Sequence, residues 1–167
     1  EEGTYDIPST YVADRLVEMG RCGQKSGGGF YDYSPGNRTP IPSEVSEKLV
    51  SETAEKFGIQ QRKIYDDEIV QRCFYSMCNI GFELLDEGMA FRSGDIDTVY
   101  INGYGFPAWR GGPMYWAENN VGLDRMLDSI RNFADKYGER WWKPSPLLER
   151  LVAEKASLRD IQNKLEP

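Results

Sequence analysis

The chain has 167 residues, with 20 basic and 27 acidic side chains, a net charge of −7 and no histidine. Its own residues can therefore build no His-based general base, catalytic triad, or His-ligated zinc or haem site. The acidic balance and the lack of a basic block leave nucleic-acid binding without electrostatic support. A hydrophobic content of 40% is enough for one substantial core or two small ones, burying roughly 70% of the extended-chain surface.

In chain order, Val12, Ala13, Leu16 and Met19 form a short helical stripe behind Pro8 and Ser9, and Gly20 is placed to end it. A glycine cluster follows, then Phe30, Tyr31 and Tyr33, an apolar stretch suited to a hairpin arm or an extended tail. Pro40 and Pro42 precede Ser43, whose hydroxyl is expected to cap a helix carrying Val45, Leu49, Val50, Ala54 and Phe57 on one face, with Gly58 as its C-terminal stop. The turns between Ser34 and Pro42 mark the expected boundary between two structural units.

Asp66, Asp67 and Glu68 place negative charge at the next helix start, where the macrodipole favours it. The stripe behind them is long: Ile69, Val70, Cys73, Phe74, Met77, Ile80, Gly81, Leu84 and Leu85. Its width predicts a central helix packed on more than one side, with Gly81 allowing a second backbone to approach. Asp95 and Asp97 read as a helix cap and first turn, and a short segment surrounds Met114 to Ala117. A further helix is predicted from about Val121 to Tyr137 on Leu123, Met126, Leu127, Ile130, Phe133 and Ala134. Ser145 and Pro146 start another, and the spacing of Ser157 and Asp160 predicts a last one over Leu158, Ile161 and Leu165. The class expected is all-α.

Cys22, Cys73 and Cys78 match neither a CxxC pair nor zinc spacing. Cys73 and Cys78 lie in the long helical pattern and are expected to be small buried hydrophobes, which suggests a reducing compartment. The chain lacks an apolar run near the roughly 18 residues a membrane span needs. It opens on Glu1-Glu2-Gly3-Thr4 without an initiator methionine, as a segment from the middle of a longer protein would.

Two glycine-rich segments could carry chemistry. In residues 23–33, Gly27, Gly28 and Gly29 permit positive φ or close ligand approach beside Lys25, and a tight turn before an aromatic tail is the structural alternative. The order of residues fits neither a Walker loop nor a dinucleotide fingerprint. In residues 103–113, Gly105, Pro107, Arg110, Gly111, Gly112 and Pro113 make a stiff, shaped loop, either a helix connection or a ligand site whose Arg110 could meet a carboxylate or phosphate. Trp141 and Trp142 are expected at a packing contact or interface. No residue is assigned as catalytic, cofactor-binding or metal-ligating.

These two segments, together with DEIVQR at 67–72 and ELLDEGMA at 83–90, resemble the carboxyl-terminal region of the multifunctional fatty-acid β-oxidation enzymes that combine enoyl-CoA hydratase with L-3-hydroxyacyl-CoA dehydrogenase. The resemblance implies a helical bundle of the 6-phosphogluconate dehydrogenase C-terminal-like type. Residues 1–38 would end a first dehydrogenase α domain, 39–65 would form a connecting helix and linker, and 66–167 would be a second α domain. It also implies a Rossmann domain and a first α domain upstream in the same chain, with NAD as cofactor of the parent enzyme and none in this segment. The parent would interconvert L-3-hydroxyacyl-CoA and 3-ketoacyl-CoA through a histidine in the nucleotide domain.

In that family an asparagine immediately precedes arginine at the first-copy helix start and contacts substrate; this chain has Gln71 before Arg72. The departure, with the missing first-copy helix, implies no second complete catalytic site here. The missing histidine and nucleotide site imply no activity alone, and the broad stripe from Ile69 to Leu85 fits a scaffolding role and self-association once the preceding domain is removed. The compartment implied is bacterial cytoplasm, with a peroxisome as alternative. An independent helical module that binds acyl-CoA or another protein is the competing reading.

Overall fold

The computed structural model describes residues 8–162, and every regular element among them is helical, as the apolar periodicities require. Their only β features are isolated bridges, Gly23 with Gly28, Gly28 with Asp32, and Asp32 with Ile41. No helix among the described residues is long and apolar enough to cross a membrane. The chain divides into two compact units between Lys63 and Ile64.

In the first unit, α1 (Pro8–Glu18) buries Val12 and Leu16 while Met19 stays exposed. Gly20 at φ +74° ends it, with the Gly20 and Arg21 amides donating to the carbonyls of Val17 and Leu16. Helix α2 (Glu44–Lys56) stops as expected at Gly58, φ +62°, whose amide donates to Glu55 O. Tyr11 meets Phe57 edge-on at 5.5 Å.

Three expectations for this unit are corrected. Ser43 stands at the N-cap of α2 without capping it, because its hydroxyl accepts a bond from the Arg21 guanidinium at 2.8 Å. The face α2 buries contains Ser46, Thr53 and Ala54, leaving Val45 and Val50 exposed. Ser46 turns inward because its hydroxyl donates to Gly29 O at 2.9 Å. Finally, residues 34–42 do not separate units. Asp32 and Ile41 exchange both backbone bonds at 2.9 Å, and Arg21 reaches Ser43 across the stretch.

The second unit is built around α3 (Asp66–Asp86), whose first turn carries the three expected acids. Cys78 and Phe82 on α3 share a core with Met114, Met126, Ile130 and Leu147. The side α3 buries most deeply is Tyr75, Cys78, Phe82 and Leu85, whereas Ile69, Val70, Cys73 and Ile80 remain exposed. Cys73 is thus not a core residue. Cys78 is: its thiol donates to Pro113 O at 3.4 Å, and burial pushes its pKa up to about 12.

Gly81 is closely approached, but by a side chain and not by the second backbone expected. A Cβ there would sit 2.5 Å from the sulfur of fully buried Met114. Gly81→Leu should cost about 1–3 kcal/mol by overpacking, less any helix-propensity gain over glycine. Urea titration checks it, and unchanged stability would remove the Met114 contact as the reason for glycine.

After α3, α4 (Ser93–Gly103) is a full helix where only a cap and first turn were expected. Asp95 accepts the Arg92 amide at 3.1 Å. A one-turn helix α5 (Pro113–Trp116) leads through a π-turn into α6 (Leu123–Tyr137), which buries Met126, Leu127, Ile130 and Phe133 as its period predicts. The short α7 (Glu139–Trp142) splits its tryptophans: Trp142 packs on Phe133 at 4.6 Å, and Trp141 is exposed. Then follow α8 (Pro146–Glu154) and α9 (Leu158–Gln162), the latter started by the Ser157 amide donating to the Asp160 carboxylate at 2.7 Å. Leu165 lies outside the described residues.

Candidate functional site

Each glycine-rich segment folds around one buried or half-buried ionic side chain. In the first unit that residue is Arg21, released from α1 by Gly20. Its guanidinium donates to Gly29 O at 2.9 and 3.2 Å, to the Asp32 carboxylate at 2.6 Å and to the Ser43 hydroxyl at 2.8 Å. Hydrogen bonds from Arg21 and then Ser43 hold the Asp32 carboxyl below the usual carboxylate range.

The three glycines serve this node differently. Gly27 adopts the left-handed region at φ +78° and closes a turn onto Gln24 O. Gly28, a candidate for positive φ, does not adopt it; a Cβ there would stand 2.8 Å from an Arg21 guanidinium nitrogen. Gly29 lets two backbones meet, since its Cβ would come 2.9 Å from Gly23 Cα. The cluster is thus filled by the protein's own arginine.

In the second unit the central residue is Asp97, which is buried on α4 and points across to α5. Its carboxylate accepts the Met114 amide at 2.7 Å and the Tyr115 amide at 3.2 Å, satisfying orphan donors at the start of α5. Asp97 therefore caps a distant helix and not its own. Gly112, at φ +97°, brings the chain so close that a Cβ would overlap the Asp97 side chain, and Pro113 follows as the first residue of α5. Gly105 at φ +72° and Gly111 at φ +80° set the other bends of the loop, with Phe106 anchored in the core and Pro107 leading into a 3-10 turn. The loop holds Arg110 half-buried, its guanidinium 4.3 Å over the exposed Trp109 ring.

Burial raises the Asp97 pKa to about 6, against the opposing effect of the two backbone bonds. Because the folded value lies above the unfolded one, this carboxyl's contribution to stability is complete below the ordinary carboxylate pKa. It is lost as pH rises through about 6. Asp97→Asn retains an acceptor for Met114 but no ionisable group. Its stability relative to the parent chain should therefore rise between about pH 4 and pH 7. Parallel urea curves at the two pH values test this; a constant difference would contradict it.

Arg72 lies 3.9 Å from Glu68 and 4.5 Å over the Tyr137 ring, and Gln71 is half-buried. The described residues contain no cluster of three His, Cys, Asp or Glu suited to a metal.

Sequence reasoning passed over two polar residues. Arg21 lay between two better-marked features, and its only signal is a lone cation just past a helix stop. Asn79 is buried on α3, accepting the Ser145 amide at 2.8 Å and donating to Lys143 O at 2.9 Å. Its signal is an amide side chain amid an apolar helix.

Comparison with known proteins matches residues 69–162 to the family described as 3-hydroxyacyl-CoA dehydrogenase, C-terminal domain. The "Peroxisomal bifunctional enzyme" of Danio rerio is 40% identical over 85% of this chain and 20% of its own length. The human protein of the same name is 37% identical over 86% of this chain and 20% of its own. The "Fatty acid oxidation complex subunit alpha" of Shewanella sp. (strain MR-4) is 32% identical over 85% and 20% respectively. The chain spans about a fifth of the length of these relatives.

Proposed function

Because this chain belongs to the 3-hydroxyacyl-CoA dehydrogenase C-terminal domain family, we propose that it is the carboxyl-terminal helical portion of a longer NAD-dependent L-3-hydroxyacyl-CoA dehydrogenase of fatty-acid β-oxidation, and that its work there is packing. The parent would interconvert L-3-hydroxyacyl-CoA and 3-ketoacyl-CoA and carry enoyl-CoA hydratase activity in the same chain. In this reading the unit ending at Lys63 closes a first dehydrogenase α domain, and the unit from Ile64 is a second copy of the 6-phosphogluconate dehydrogenase C-terminal-like type.

One observation carries the packing role: Arg21 and Asp97, the ionic side chains around which the two glycine-rich segments fold, are occupied by the protein itself. Arg21 is engaged by Gly29, Asp32 and Ser43, and Asp97 by the amides of Met114 and Tyr115. The residues present do not fit NAD. The Arg21 guanidinium fills the triple-glycine turn, and the amides of Gly27 and Gly29 donate to Gln24 O and Tyr31 O, leaving no cradle for a pyrophosphate. Proton transfer in the parent would come from an upstream imidazole, which this chain cannot supply.

The test is direct. The purified chain should reduce no NAD when given 3-hydroxyacyl-CoA, whereas the parent should lose stability and activity together when residues 64–167 are deleted. Turnover by the isolated chain at the parent's rate would refute the reading, as would an undisturbed deletion mutant.

Arg110 favours a second reading, an acyl-CoA-binding module, because it makes no ion pair among the described residues and sits on an exposed tryptophan. Acyl-CoA binding abolished by Arg110→Ala would support it over packing. For the compartment, the higher identity to the peroxisomal relatives than to the bacterial one turns our reading from bacterial cytoplasm toward the peroxisome. The apolar residues that α3 leaves exposed also support self-association of the isolated chain, opposed by its net charge of −7.

A further inference from the structure

Asn102 is the one asparagine in the sequence that is followed by glycine. The pair closes α4, both residues are exposed, and no atom from elsewhere in the fold would lie within 4 Å of a Cβ at Gly103. That combination is reactive. An asparagine side chain loses its amide when the next main-chain nitrogen attacks it, and glycine, having no Cβ, hinders that nitrogen least. The other described asparagines are followed by Arg38, Ile80, Asn120, Val121 and Phe133, each of which sets a side chain against the attack.

We propose that Asn102–Gly103 is a site of spontaneous deamidation that loosens the glycine-rich loop behind it. The Gly103 nitrogen gives up its proton and its lone pair forms a bond to Asn102 Cγ; the bond from Cγ to the side-chain nitrogen breaks, and ammonia leaves. Water then opens the cyclic succinimide at either carbonyl, giving aspartate or isoaspartate. Helix α4 itself restrains the reaction, because the Gly103 amide belongs to its ladder and the Asn102 side chain donates to Thr98 O at 2.8 Å. Both bonds must open first. The final turn is poorly held, since no basic residue in it offsets the macrodipole and glycine is a weak helix former.

Either product places a carboxylate at the negative end of the helix dipole, where it cannot donate to Thr98 O. Isoaspartate also adds a methylene to the main chain. The change falls beside Tyr100 O, which accepts the Tyr104 amide at 3.2 Å and the Phe106 amide at 3.0 Å. Phe106 is the buried anchor of the loop, packed edge-on against Phe74 at 5.9 Å. This inference stands apart from the packing role above, since it concerns how long the loop keeps its shape.

The experiment incubates the whole chain at mildly alkaline pH and maps it by tryptic digestion and mass spectrometry. The peptide from Ser93 to Arg110 holds no other side-chain amide. It should gain the mass by which a carboxyl exceeds an amide, ahead of every other asparagine, faster as pH rises and faster still in urea, where α4 is open. Gly103→Ala should suppress the gain in urea as well as in buffer, which separates hindrance at the nitrogen from a firmer helix. The modified chain, and Asn102→Asp as its aspartate form, should unfold at lower urea by tryptophan fluorescence. No gain at Asn102 in the folded chain, an earlier gain at another asparagine, a Gly103→Ala rate in urea equal to the parent's, or an unchanged unfolding midpoint after modification would each overturn the proposal.

Discussion

Gly112→Ala should destabilise the second unit by about 2–6 kcal/mol, the largest effect we expect from adding one methyl group to this chain. Two penalties meet at this position. An L-residue held at φ +97° carries about 1–3 kcal/mol of backbone strain. The new Cβ also overlaps the Cβ and carboxylate of Asp97, atoms close to the α4 backbone that cannot swing aside. Relief would require Asp97 to withdraw from Met114 and Tyr115, exposing the start of α5. The four tryptophans, Trp109, Trp116, Trp141 and Trp142, all lie in the second unit, so tryptophan fluorescence during urea unfolding reads that unit alone. An unshifted fluorescence midpoint in Gly112→Ala would show that the loop is not braced against Asp97.

Arg21→Ala should act on the first unit, by about 2–4 kcal/mol from the charge-assisted bonds to Gly29 and Ser43. Gly29 O retains the Ser46 hydroxyl and the Asp32 carboxylate stays open to water, so the unmet polar group is chiefly the buried Ser43. Far-ultraviolet circular dichroism should lose an early fraction of its helical signal while the tryptophan transition stays in place. The pH dependence has a definite sign. Asp32 is held below its ordinary value, so its contribution is present above the ordinary carboxylate pKa and is lost as pH falls through the lowered one. The deficit of Arg21→Ala should shrink in acid. Arg21→Lys should recover only part of the loss, because an ammonium cannot reproduce the fork that reaches three acceptors. A variant as stable as the parent would show that the glycine turn closes without its arginine.

How much could be read beforehand varies with the kind of information a residue carries. The α6 stripe was legible because its apolar residues keep one helical period and face one core. The start of α9 was legible because Ser157 and Asp160 act within one turn. On α3 the apolar residues were visible but their two destinations were not: composition does not distinguish Phe82, fully buried, from Ile80, more than half exposed. Helix α4 was hidden by flanking glycines and by a buried face whose members are Ile96 and Asp97.

Long-range polar choices were the least legible. Ser43 has a capping residue's identity and position, yet an arginine 22 residues earlier takes its hydroxyl. Asp97 resembles a local cap until the fold brings α5 against it. Of the glycine-rich candidates, the sequence identified the segments that must bend; the particular atom filling each bend depended on tertiary placement.

The Asn79 side chain gives the second unit a latch. By holding Lys143 O and the Ser145 amide at once, it fastens the connection ahead of α8 to the middle of α3. Peeling the C-terminal segment away would break both bonds and leave a desolvated amide behind, so local fraying at that end should stop short of the latch. Deuterium uptake at the Ser145 amide would then follow opening of the entire α3 bundle and not the loosening of the chain's end.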